Sequence, residues 1–134
     1  MQSFKDTAGR VWTLEIDADV IEYYRSQYDI DLSSADNRQS FFDDNCHKLF
    51  MTVAHLIDIQ AILYRITPDE FLKAMDVLTV ASAQLAFLRE WASALKKLGQ
   101  LKAWIQISRV ADFQDSLIRK LRRAQKHRVQ NVSF

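Results

Sequence analysis

The chain has 134 residues and a mass of 15.6 kDa, of which 26% are charged, so it is long enough to bury one core. Its two Gly and one Pro are too few for Gly-rich phosphate loops, arrays of tight hairpins or many short strands. Nucleotide-binding folds, β-sandwiches and repeat barrels are thereby excluded, and long helices are expected. Eighteen Lys/Arg against seventeen Asp/Glu leave a formal charge of +1, which gives no general attraction to nucleic acid or to acidic lipid. The charge is uneven, because residues 1–67 hold six basic and eleven acidic side chains and residues 68–134 twelve and six, with no acid after Asp115.

The first element expected is a β-hairpin over residues 2–16. Trp12, Leu14 and Ile16 alternate with Val11, Thr13 and Glu15, and Asp6-Thr7-Ala8-Gly9 provides a turn in which Gly9 can take the left-handed conformation. Phe4 then meets Trp12 or Leu14 across the pair. A two-stranded hairpin is marginal alone and has to rest its apolar face on something. A short helix follows from about Asp19 to Tyr28, with Asp19 as its cap, and residues 29–36 read as a loop.

A second helix is expected from near Asn37 or Phe41 to Leu63. Its stripe contains Phe42, Leu49, Val53, Leu56, Ile57, Gln60 and Leu63, widened by Phe41, Phe50 and Ile59. Thr67-Pro68-Asp69-Glu70 opens a third helix, with Thr67 as cap, Pro68 at the first helical position and Glu70 reaching back. This helix, running from 69 to 98 and ended by Gly99, carries Phe71, Met75, Leu78, Ala81, Leu85, Leu88, Trp91, Leu95 and Leu98 and is expected at the centre of the domain. It would be about 45 Å long, against a diameter of about 36 Å for a compact domain of this size. Either the bundle is elongated or its helices break, and residues 79–83 and 103–108 are the weakest stretches. Residues 103–108 stay ambiguous, because Ile105 and Ile107 alternate like a strand inside a helical neighbourhood. A basic amphipathic helix is expected over 110–128, with Val110, Phe113, Leu117, Leu121 and Ala124 on one stripe and Arg119, Arg122, Arg123 and Lys126 opposite. The whole reads as a single domain over 1–134, mainly α: a helical bundle with an N-terminal β-hairpin and a helical body over 19–98.

Catalytic and metal chemistry lack their minimal parts. Asp43, Asp44, Cys46, His47, His55 and Asp58 are the densest group of possible ligands, but the separated pairs of a structural zinc site are missing. Cys46 and His47 point about 100° apart on a helix and cannot act as nucleophile and base. Hydrolase, Walker and zincin motifs do not occur, so no enzyme activity, cofactor or metal is expected. The single Cys46, an N-terminus without a basic-then-apolar leader and a longest uncharged run of only Val77 to Leu88 point to the cytoplasm and away from a membrane.

Partner contact is the remaining class of function. Trp91, Trp104 and Phe113 are the candidate apolar contacts, and Arg119, Arg122, Arg123 and Lys126 the candidate cationic ones. No aromatic residue interleaves the cations from Arg119 to Arg128, which argues against single-stranded nucleic acid. An acidic protein surface is a better match, and a second copy of the chain, making a homo-oligomer, is a further candidate.

The run Phe4-x-Asp6-x-x-Gly9-Arg10-x-Trp12-x-Leu14-x-Ile16, a short helix and then Asp31-Leu32, with Ile66-Thr67-Pro68-Asp69-Glu70-Phe71 farther on, resembles the tail assembly chaperones of long-tailed phages and prophages. The resemblance covers roughly residues 2–98, and the basic final helix has no counterpart in it. It implies a non-enzymatic protein of the host cytoplasm that binds a tape measure protein, or another tail protein, during tail assembly. The alternative is a small helical adaptor or regulator whose basic C-terminal helix binds nucleic acid or an acidic protein.

Overall fold

The fold follows from a computed structural model, described for residues 1–36, 52–53 and 56–132, with side chains as far as Lys126. Strands β1 (Gln2–Lys5) and β2 (Val11–Leu14) pair antiparallel with Phe4 opposite Trp12 and Gln2 opposite Leu14. Their turn is built on one carboxylate. Asp6 Oδ1 accepts from the backbone N–H groups of Ala8 and Arg10, both at 3.0 Å, while Oδ2 accepts from Arg10 Nε at 2.8 Å and Trp12 Nε1 at 3.0 Å. Gly9 occupies φ 84°, which an L side chain rarely adopts. The apolar face expected of β2 is real, for Trp12, Leu14 and Ile16 are all buried.

Five helices follow among the described residues. Helix α1 (Ala18–Tyr28) is capped by Asp17, whose side chain accepts from Val20 N, and not by the expected Asp19, which falls inside the first turn. The loop at 29–36 begins with Asp29 at φ 54° and buries Ile30, Leu32 and Ala35. Most of the expected second helix lies outside the described residues. Its end is α2 (Asp58–Tyr64), which leaves Ile59 and Leu63 exposed, whereas Val53 and Ile57 just before it are buried and Leu56 is half-buried, so the stripe narrows toward the end of the element.

Thr67, Pro68 and Glu70 form the expected capping box at the start of α3 (Pro68–Lys73). That helix then stops. Ala74 leaves helical geometry, its carbonyl accepts the Thr7 N–H of the hairpin turn at 3.0 Å, and Asp76 caps a new helix, α4 (Val77–Lys97), by accepting from Thr79 N at 2.7 Å. The single helix expected over 69–98 is thus two, broken at 74–76 and not at 79–83. An apolar stripe is insensitive to so short an interruption, because the residues on both sides still face the core. The expected terminator holds: Gly99 at φ 77° donates to Lys96 O and Gln100 N donates to Leu95 O, a Schellman end.

Helix α4 is the central element, burying Phe87, Leu88, Trp91 and Leu95 together with a series of alanines that let its neighbours approach closely. β1 and α5 (Leu101–Val132) pack on it. Residues 103–108, ambiguous in sequence, are helical and continuous with α5, so this helix starts well before 110. At 1.5 Å per residue its 32 residues span about 48 Å. Ile118 is the last buried residue among the described side chains, and every side chain from Arg119 to Lys126 is exposed, so this stretch of the helix runs out past the body. No described helix is long and apolar enough to cross a membrane.

Asp6 gives the fold a measurable pH dependence. Burial alone would raise its pKa, but hydrogen bonds from Arg10 and Trp12 and the Arg10 charge outweigh burial and hold it below the ordinary carboxylate value. The resulting stabilisation is full above the unfolded pKa and is lost as pH falls through the lower folded value. Asp6→Ala, which strands two backbone N–H groups and the Trp12 indole, is expected to cost about 3 kcal/mol at pH 7 in urea unfolding. The gap between wild type and variant should narrow below about pH 4.

Candidate functional site

The two edges of the hairpin meet different fates. In an antiparallel pair, residues alternate between pointing both backbone groups at the partner strand and pointing both away. On β2 the outward groups are those of Thr13 and Val11. The Gln60 side-chain amide of α2 takes both from Thr13: Oε1 accepts from Thr13 N at 2.7 Å and Nε2 donates to Thr13 O at 2.6 Å. Tyr64 Oη donates to Val11 O at 2.9 Å. The edge of β2 is therefore sealed by two side chains of one short helix. The apolar stripe did hold a signal for this, since Gln60 is its one polar member, and an amide on a packed face needs a partner.

β1 has no such seal. Asp6 N donates to Arg10 O at 3.0 Å, which sets the alternation so that Phe4 and Gln2 face the ladder and Lys5 and Ser3 face away. No hydrogen bond joins the outward backbone groups of Ser3 and Lys5 to any described residue. The edge opens on a groove of about 450 Å³, with Leu85 and Arg89 of α4 as its floor and Ile118 and Arg122 of α5 as its far wall. Arg89 is engaged by Asp112 at 3.0 Å and Asp115 at 3.7 Å, and Asp115 also pairs with Arg119 at 3.3 Å. Lys5 and Arg122 have no ion-pair partner among the described residues.

Helix α5 supplies a second surface. Its contact with α4 runs through Ile107, Ala111 and Ile118, all buried, with Gln114 Nε2 donating to Gln84 Oε1 at 2.8 Å. The stripe named from sequence is displaced from this face: Val110 is half-buried, and Phe113, Leu117 and Leu121 are 66%, 39% and 39% exposed. Amphipathic spacing identifies an apolar side of a helix, but this helix has two adjacent ones, and α4 covers only that of Ile107 and Ile118. Of the cations, Arg119, Arg123 and Lys126 are exposed, and Arg122 is the one that reaches the groove beside β1.

The tryptophans divide. Trp104 is half-buried, and the Lys96 ammonium lies 4.8 Å from its ring centroid, a cation–π contact that occupies one ring face. Trp91 is a correction to the expected contact surface: it is fully buried, and its Nε1 donates to Leu32 O at 2.7 Å. It holds the 29–36 loop to α4 and cannot touch a partner.

Among the described residues Glu90 is the one buried carboxylate besides Asp6, and the sequence gave no warning of it. Oε1 accepts from Ile16 N at 3.1 Å, and Oε2, which has no hydrogen-bond partner among the described residues, lies 3.6 Å from the Met1 ammonium. It fastens the strand exit to α4. Asp43, Asp44, Cys46, His47 and His55 lie outside the described residues, and among the described ones no three His, Cys, Asp or Glu side chains are placed to hold a metal ion.

Comparison with protein-family models, with curated proteins and with solved structures gives no match to this chain.

Proposed function

We propose that the chain is a non-enzymatic, tail assembly chaperone-like protein that holds a long, apolar, helix-rich tape measure protein by contact between helices. The observation that carries this reading is the exposed stripe of Phe113, Leu117 and Leu121 on the side of α5 that α4 does not cover. At 100° per residue the three side chains fall within about 80° of helix circumference, a strip that one partner helix can cover. Large apolar side chains of this kind, repeated at four-residue spacing on a projecting helix, favour association over solvation. The exposed cations Arg119, Arg123 and Lys126 stand on the opposite side of α5 and leave the strip itself uncharged. Resemblance at residues 2–16 and 66–71 supplies the identity of the partner.

The rival adaptor reading draws on the same exposed cations and makes a different demand, binding to nucleic acid that falls steeply with salt. Co-expression with a tape measure protein separates the two. Wild type is expected to keep that protein soluble, and the triple variant Phe113→Asp, Leu117→Asp, Leu121→Asp, whose sites are already in water, is expected to remain folded by circular dichroism and lose at least about tenfold in binding. A triple variant that solubilises the partner as well as wild type does would defeat the proposal. So would salt-sensitive DNA binding abolished by Arg122→Glu with Arg123→Glu and no effect on the tape measure protein.

A further inference from the structure

We infer that the open edge of β1 is a second binding site, one that takes an extended, acid-bearing segment of a partner protein as an added strand. Strand addition needs a free row of N–H and C=O groups, space beside it, and side-chain contacts that select the occupant. Ser3 and Lys5 provide the row, because both point their backbone groups away from β2. The groove beside them provides the space. Unprotected edges promote indiscriminate pairing and are usually covered or blunted. This protein covers its other edge with Gln60 and Tyr64 and leaves only the walled one open.

The chemistry of the groove selects the occupant. An added strand would alternate its side chains between the inner side of the sheet, toward Leu85 and Ile118, and the outer side, where Lys5 stands. The inner positions therefore call for apolar residues. Lys5 and Arg122 have no ion-pair partner among the described residues, while the nearby Asp115 is already held by Arg89 and Arg119. The outer positions and the far wall therefore call for carboxylates. A second copy of β1 does not meet this requirement, since it would bring its own Lys5 and groove cations to the same place. This site uses none of Phe113, Leu117 or Leu121 and stands whether or not the chaperone reading holds.

The test uses the full chain and a labelled, end-blocked hexapeptide of alternating valine and aspartate. Titration is expected to shift the amide resonances of Ser3 and Lys5, with Thr13 unmoved. Methylating the peptide nitrogens on its pairing edge, or exchanging aspartate for lysine, is expected to weaken binding at least about tenfold. Ser3→Pro removes an outward N–H that the hairpin does not use, and Lys5→Glu with Arg122→Glu reverses the charge. Each should weaken binding by a similar factor while the circular dichroism spectrum stays that of wild type. Binding unchanged by both N-methylation and Ser3→Pro, shifts confined to Phe113–Leu121, or no binding at millimolar peptide would overturn the inference. A dimer in sedimentation that Ser3→Pro dissociates would also overturn it, by giving the edge to a second copy.

Discussion

A two-stranded hairpin is not stable in water by itself, and the Asp6 carboxylate is the interaction that holds this one in the shape on which the helices pack. Four donors converge on it, two from the turn backbone and two from the Arg10 and Trp12 side chains. By fixing the Trp12 indole, Asp6 sets the ring edge-on to Tyr64 and Phe71, at 5.1 and 5.2 Å between centroids. Those contacts place α2 and α3 at one side of the hairpin, and placement of α2 brings Gln60 and Tyr64 onto the β2 edge. The same turn engages the carbonyl of Ala74, where α3 ends. The hairpin therefore decides where the helices stop as well as where they pack.

Much of this was legible in residues that act locally. Thr67-Pro68-x-Glu70 marks a helix start whatever surrounds it, and Gly9 and Gly99 mark two of the left-handed positions, one ending a turn and the other a helix. Alternation identified the apolar face of β2 but left Phe4 opposite either Trp12 or Leu14, and the structure pairs it with Trp12. The break at 74–76 was not legible, because its cause is a hydrogen bond from Thr7, sixty-seven residues earlier in the chain. Ile105 and Ile107 mimicked a strand because one faces out and the other faces α4. Ambiguity of that kind is resolved by the neighbour and not by the segment.

The candidate sites show the same division. Exposed cations at the end of α5 could be read from spacing alone, and so could the apolar character of Phe113, Leu117 and Leu121. Whether those three face a neighbour depends on which of two adjacent apolar sides α4 covers. Trp91 has the composition of a contact residue and the position of a core one. The groove beside β1 had no sequence signature, since its floor, its wall and its edge come from three separate parts of the chain. Gln60, a lone amide within an apolar stripe, signalled only the sealing of the opposite edge.

The hairpin has one sealed edge and one open edge, a difference that amide hydrogen exchange of the free protein reads at single residues. Thr13 and Ile16, which donate to the Gln60 and Glu90 side chains, should exchange slowly, with protection comparable to that of the α4 core. Ser3 and Lys5, with outward N–H groups, should exchange at close to the rate of an unstructured chain. Equal and strong protection at all four amides would contradict the account, and so would fast exchange at Thr13 beside slow exchange at Ser3.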